Sequence, residues 1–243
     1  MSEECKKIHQ LIEQLPLIRI GDDFDFKTLP IAGIYFFYEK GEYSDHFPNC
    51  NRIVRVGTHR KNNFQTRIKD HYLDSKKELV LDKAKSAPHD RSIFRNHIGR
   101  CLLNMNGDSL YIKNVWKINK TPKIKNKKCE HLRDINKELG LEKEISRILR
   151  QQFSFRYIIL DDEKQRMGEK SMESALIATI AQCKSCMPST NWLGNNSPED
   201  KIKNSGMWNM HHVNARIIDE NQFELLKRAV EESNLFYDSY NSK

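Results

Sequence analysis

Two apolar runs, Ile31-Ala32-Gly33-Ile34-Tyr35-Phe36-Phe37 and Arg52-Ile53-Val54-Arg55-Val56-Gly57-Thr58-His59, decide how the rest of the chain is read. Both are rich in β-branched and aromatic residues and bounded by turn formers, so they read as two adjacent strands. The segment between them, Glu39 to Asn51, carries Gly41, Asp45, Pro48 and Asn49 and suits a hairpin with a long loop. From Asn62 to Leu73 the period becomes helical, with Phe64, Ile68 and Tyr72 on one stripe. Arg67 and His71 lie four apart and share a side at the edge of that stripe.

Before this unit, residues 3–15 form an amphipathic pattern (Ile8, Leu11, Ile12, Leu15) that stops near Pro16, and an irregular lead-in follows to Pro30. After it, Asp90 is placed to cap a helix whose face is Ile93, Phe94, His97, Ile98, Cys101 and Leu102. His97 on that face reads as a hydrogen-bonded core histidine. Ser109 to Ile118 reads as a strand. Lys117, Lys120, Lys123, Lys125, Lys127 and Lys128 follow with no acid among them. Such a run is either a solvated loop or an arm that tracks a nucleic-acid backbone. Leu132 to Gln151 is helical with an interruption expected at Gly140, and Phe153 to Leu160 is a strand. The helix over residues 170–184 has the clearest pattern: Met172, Ala175, Leu176, Thr179, Ile180 and Cys183, with Ser171 or a neighbour as cap. Glu173 lies beside that stripe, which places its carboxylate at the rim where the helix packs. Beyond Pro188 the chain is loop-like until a last helix over residues 220–232.

Forty-one Lys and Arg against 33 acids give a net charge of +8. This favours a polyanionic partner, nucleic acid ahead of a membrane, since no basic amphipathic helix stands out. No apolar run approaches the ~18 residues of a membrane span, and the N-terminus lacks the regions of a signal peptide, so a cytoplasmic location is expected. Six cysteines lie at positions 5, 50, 101, 129, 183 and 186. Only Cys183 and Cys186 have the spacing of a metal or redox pair, and a structural zinc site usually needs a second pair that the spacing does not supply. The cysteines therefore read as reduced structural thiols.

Gly33-Ile34-Tyr35 resembles the first half of the signature of the GIY-YIG nuclease superfamily, and Arg55-Val56-Gly57 stands where that family usually shows Tyr-Ile-Gly. In that family a helix after the second strand carries an arginine, matched by Arg67, and a later helix carries a metal-binding glutamate, matched by Glu173. Restriction-enzyme members add a histidine one turn after the arginine, matched by His71. The family often has an asparagine beyond the glutamate helix; Asn191 and Asn195 lie in that region, and Asn191 is the candidate. The resemblance covers residues 31–73 and 153–184. It implies a lead-in over residues 1–30, a core over 31–184 with a helical insertion at about 74–151, and a C-terminal extension over 185–243.

The implied fold is α/β (α+β), a small, mostly antiparallel central sheet flanked by helices. The implied activity is metal-dependent endonucleolytic hydrolysis of DNA, restriction-type in the preferred reading, by a homodimer. Residue chemistry agrees. Phosphodiester cleavage needs an activated nucleophile and stabilisation of charge on the phosphate and the leaving oxygen. A hard cation, Mg²⁺ or Mn²⁺, suits a single carboxylate, Glu173, with Glu169 one turn earlier as the fallback. The Arg67 guanidinium matches phosphate oxygens. Tyr35 would position or deprotonate the attacking water; a phenol ionises near pH 10, so it needs nearby positive charge, which Arg55 is placed to supply. Arg55 itself cannot act as a base. His71 titrates in the range needed to take a proton from water or from Tyr35. Recognition is expected from the insertion and the tail, which hold the lysine run, Trp192 and Trp208. Arg55 at a tyrosine position also motivates a catalytically inactive nucleic-acid binder as the alternative, beside a repair or RNA nuclease.

Overall fold

The computed structural model describes residues 2–60, 63–116 and 130–241; the lysine run from Lys117 to Lys128 and Cys129 lie outside the described residues. The chain runs through α1 (Ser2–Ile12), β1 (Ile34–Tyr43), β2 (Asn51–Thr58), α2 (Phe64–Tyr72), α3 (Pro88–Arg91), α4 (Ile93–Met105) and the single turn α5 (Ser109–Tyr111). It continues through α6 (Ile135–Gln152), β3 (Phe153–Ile158), α7 (Glu163–Arg166), α8 (Met172–Ala181), α9 (Asp200–Ser205) and α10 (Glu220–Asn241).

The three strands form one antiparallel sheet in the order β2-β1-β3. Tyr35 faces Gly57 on one side and Tyr157 on the other. β1 continues through Glu39 to Tyr43, further than its apolar run suggests. Polar residues persist in the strand there because they are paired: Arg52 of β2 donates through Nε to Glu42 at 3.1 Å, both side chains being buried.

Helices cover both faces of the sheet, which is why the strands read as unbroken apolar runs instead of alternating ones. On one face Ile34, Phe36, Val56 and Ile158 pack against α1, α8 and α10 through Ile8, Ile12, Leu176, Ile180 and Leu226. On the other, Tyr35, Phe37, Phe155 and Tyr157 pack against α2, α4 and α6 through Phe64, Ile68, Phe94, Ile98, Ile145 and Leu149. The stretch expected as an insertion thus supplies part of the core on this second face.

Several local expectations are corrected. The stretch from Ser109 is helical: α5 runs into a π-turn over Ile112–Trp116. Ile112, Val115 and Trp116 are buried while Leu110 is exposed, so the apolar residues follow a helical spacing that a strand pattern also fits. Trp116 closes this turn by stacking on His89, with ring centroids 3.7 Å apart. The cap of α4 is Ser92, whose hydroxyl accepts from Arg95 N, whereas Asp90 accepts from Ala87 N at the start of α3. α6 passes through Gly140 unbroken. The cost of about 1 kcal/mol for a helical glycine is outweighed by the burial of Ile145, Ile148 and Leu149 on the same helix, while its buried Glu138 and Glu142 are paired with Arg133 and Arg95.

The tail seals the outer edge of the sheet. Trp208 N donates to Val54 O at 2.7 Å, and the Asn209 amide side chain accepts from Val56 N at 3.1 Å and donates to Val56 O at 2.8 Å. An exposed edge strand presents unpaired backbone groups; here the segment around Trp208 satisfies them. Trp192 and Trp208 are 1% and 0% exposed. Their indole nitrogens donate to one Glu39 oxygen at 2.9 and 3.0 Å, so they hold the tail to the hairpin and are not a recognition surface. Among the described residues, no helix is long and apolar enough to cross a membrane.

Candidate active site

Tyr35 points from the middle strand across Gly57. A Cβ built on Gly57 would lie 2.4 Å from the Tyr35 hydroxyl oxygen, so the glycine leaves the space that the phenol occupies. The hydroxyl lies 3.1 Å from His71 Nε2, and His71 Nδ1 lies 2.7 Å from the Ser92 hydroxyl. Tyr35 and His71 are buried at 1% and 0% exposure. Burial, and then the charges of Arg67, Arg55 and Arg95, hold the His71 imidazole well below the ordinary histidine range. It is neutral, with the phenol as partner at Nε2 and the Ser92 hydroxyl at Nδ1. His71 thus does not meet solvent water directly, which leaves Tyr35 as the group from which it can take a proton.

Glu173 enters from the first turn of α8, whose cap Ser171 accepts from Ser174 N. A carboxylate there is favoured by the helix N-terminus. Its Oε1 accepts from Thr58 N, at the end of β2, at 3.1 Å. Burial raises the Glu173 pKa, and the Thr58 N–H, Arg55, Arg67 and Arg166 act against that rise. Arg166 is itself fixed by donating to Leu160 O, to Asp161 O at 3.1 Å and to His59 O at 3.1 Å.

Arg55 is buried, donates to Trp208 O, and lies over the Phe94 ring at 5.0 Å from its centroid. Burial lowers its pKa, the Tyr35 hydroxyl and Glu173 oppose this, and Arg67 adds to it. Arg67 is half-buried on α2; its Nη1 donates to Arg91 O at 2.6 Å, and its Nε is buried with no partner among the described residues. A cleft of about 390 Å³ opens between β2, α4, α8 and the tail. Arg55, His97, Arg100, Glu173, Asn209 and His211 are among its walls.

The sheet therefore brings Tyr35, Arg55, Arg67, His71 and Glu173 into one electrostatic cluster. Asn191 does not join them: it is exposed in the turn before Trp192 and does not line the cleft. Asn195 donates to Ser189 O and Thr190 O, likewise within its own loop. Two other asparagines line the cleft, Asn96 of α4 and Asn209, the latter positioned by both bonds to Val56. His97 also lines the cleft, with a buried Nδ1 that has no partner among the described residues. Burial and the charges of Arg55 and Arg100 lower its pKa to about 3, so it stands neutral beside two cations. The sequence signals for Asn209 and His97 were slight: an asparagine after a loop tryptophan, and a histidine on an apolar helix face.

A family model described as a GIY-YIG domain matches residues 3–235. No curated protein matches the chain, and no solved structure does.

Proposed function

The chain belongs to the GIY-YIG domain family, and from that premise we propose that it is a metal-dependent endonuclease hydrolysing DNA phosphodiester bonds. The observation that carries the proposal is the convergence of a phenol–imidazole pair, two arginines and one carboxylate in one electrostatic cluster, of which Arg55 and Glu173 line the cleft.

Arg67 and Arg55 bind the scissile phosphate; Arg67 is the accessible fork, and Arg55 supplies fixed charge from the strand. Tyr35 orients the attacking water and takes its proton, passing its own to His71 Nε2. That transfer requires Nδ1–H of His71 to donate to Ser92, the partner at 2.7 Å. Glu173 is suited to a hard divalent cation. Oε1 is occupied by Thr58 N–H, Oε2 has no hydrogen bond among the described residues, and one carboxylate with waters fits Mg²⁺ or Mn²⁺. When bound, such an ion supplies charge stabilisation to the phosphate and the leaving oxygen.

Among the finer readings, the Arg67 and His71 pairing on α2 favours a restriction-type enzyme, acting as a homodimer because palindromic sites mirror two-fold symmetry. A cytoplasmic enzyme acting on DNA is consistent with the net charge of +8. Arg55 favours a second reading, a binder that has lost hydrolysis, since it replaces a family tyrosine with a group that cannot move a proton.

Supercoiled plasmid incubated with the protein and Mg²⁺ separates the two. Cleavage is expected, with a loss of at least about 10²-fold in Glu173→Ala at retained DNA binding. Binding without cleavage by the unaltered protein refutes the enzyme reading. Discrete fragments indicate restriction-type recognition; a smear or junction-selective cutting indicates another nuclease class.

A further inference from the structure

On the face of the sheet opposite Tyr35, three thiols and an imidazole from three places in the sequence meet at one point. Cys5 lies on α1, His46 in the β1–β2 loop, and Cys183 and Cys186 in the turn after α8. Cys5 Sγ is 3.5 Å from Cys186 Sγ, and His46 Nε2 is 3.4 Å from Cys186 Sγ and 3.5 Å from Cys183 Sγ. His46 Nε2 thus stands between the two sulfurs of the Cys183–Cys186 turn. We propose that Cys5, His46, Cys183 and Cys186 are the four ligands of a structural zinc ion.

The spacing is that of a tetrahedron's edges. With Zn–S near 2.3 Å and Zn–N near 2.0 Å, ligand atoms lie about 3.8 Å apart for two sulfurs and about 3.5 Å for sulfur and nitrogen. All three cysteines are buried, with 0%, 3% and 2% exposure for Cys5, Cys183 and Cys186. Thiols are weak hydrogen-bonding groups, so three of them facing one another gain little as neutral groups. A divalent ion turns the same cluster into a set of thiolate bonds.

His9 is the fifth candidate, since its ligand atom lies within 4.8 Å of those of Cys5, His46 and Cys186. Both of its nitrogens are engaged elsewhere. Nδ1 donates to Cys5 O at 3.0 Å, and Nε2 accepts from Ile53 N at 3.4 Å while standing 3.9 Å from Cys186 Sγ. His9 is a wall of the site, and His46, half-buried with Nε2 directed at two sulfurs, is the ligand. The backbone already joins the two loops involved, because Asp45 N donates to Ser185 O at 2.9 Å.

Four protein ligands make a closed, structural site. It ties α1 and the hairpin loop to the C-terminal end of α8, the helix whose first turn carries Glu173. The ion would sit about 15 Å from that carboxylate, a span of about ten helical residues. It braces the helix without entering the cleft.

The test is the metal content of the full chain, purified without chelator, by inductively coupled plasma mass spectrometry. About one zinc per chain is expected, with cobalt substitution giving the intense d–d absorption of a tetrahedral thiolate site. His46→Ala should lose the zinc and the cobalt spectrum, while His46→Cys, His9→Ala and Cys101→Ser should keep them. Iron in place of zinc, a Cys5–Cys186 disulfide in the isolated protein, or no zinc after reconstitution under reductant overturns the proposal. Zinc retained in His46→Ala but lost in His9→Ala overturns the ligand assignment. Because the metal content of the unaltered protein is read first, a variant that fails to fold does not decide the matter.

Discussion

Gly57→Ala probes the geometry of the site most directly. The added methyl would stand 2.4 Å from the Tyr35 hydroxyl oxygen and 2.5 and 2.6 Å from Cζ and Cε2, whereas ordinary contact begins at 3.4 Å. The phenol must retreat by about 1 Å, and little lets it move. β1 is held by strands on both sides. The ring is walled by Phe37, His71 and Phe64, at centroid distances of 5.3, 5.6 and 5.9 Å. A displacement of that size breaks the 3.1 Å contact with His71. Overpacking of this kind costs about 1–3 kcal/mol of stability. A misplacement of about 1 Å at a reacting group costs about 10²-fold in rate. Single-turnover plasmid cleavage and urea denaturation measure the two effects separately. Because the methyl acts through Tyr35, the Gly57→Ala and Tyr35→Phe rate losses should be far from additive, the double variant being little slower than Tyr35→Phe alone. A Gly57→Ala protein with unaltered stability and rate would refute the reasoning.

Two stability predictions follow from carboxylates, one buried (Glu142) and one half-buried (Glu39). Glu142 accepts from Arg95 Nε at 2.9 Å and from His89 N and Nδ1 at 2.8 Å each. Burial works against its charge, but these partners hold its pKa down to about 2. Its contribution of about 3 kcal/mol is present above the unfolded carboxylate range and is lost as pH falls toward 2. Glu142→Ala should cost about 3–5 kcal/mol at neutral pH, because Arg95 is left buried and unpaired; a loss below 1 kcal/mol in urea denaturation would contradict this. Glu39 behaves oppositely. Burial raises its pKa to about 7 against the two indole donors, so its contribution is full below the unfolded range and disappears as pH rises to 7. Glu39→Gln should therefore stabilise the protein by about 1–3 kcal/mol at pH 8 and by less at pH 5, read from thermal unfolding at the two values.

What the sequence made legible was whatever depends on neighbours along the chain. β1 and β2 follow from composition, α2 from its stripe, and α8 from its repeat; Tyr35, Arg55, Arg67, His71 and Glu173 sit on those elements and were singled out there by the family resemblance. The residues missed are those placed by contacts between distant segments. Asn209 reaches the cleft because the tail docks along β2, a pairing across 153 residues. Asn191, in the same tail, is turned outward by a loop that local sequence does not specify. Trp192 and Trp208 read as surface aromatics until Glu39, on another strand, is seen to bind both indoles. The four proposed zinc ligands lie on three separate segments, so only the Cys183–Cys186 half of the site has a spacing to detect.

The depressed proton affinity of His71 looks unsuited to a base, yet the cause of the depression supplies the remedy. After burial, the largest contributions come from Arg67 and Arg55, the cations assigned to the scissile phosphate. A phosphate docked on them cancels much of their field, so His71 accepts a proton more readily only once substrate is in place. The free protein keeps His71 neutral, and a docked phosphate is expected to favour proton transfer to it. NMR titration of ring-labelled His71 tests this coupling. In the free protein its titration should lie below the ordinary histidine range, and binding of a non-cleavable duplex to Glu173→Ala should move it upward. Each unit of upward movement corresponds to about 1.4 kcal/mol of added stabilisation for the imidazolium. A His71 that titrates normally without DNA, or one that DNA leaves unmoved, would sever the link between phosphate binding and proton transfer. Arg55 would then serve only to anchor the tail through Trp208.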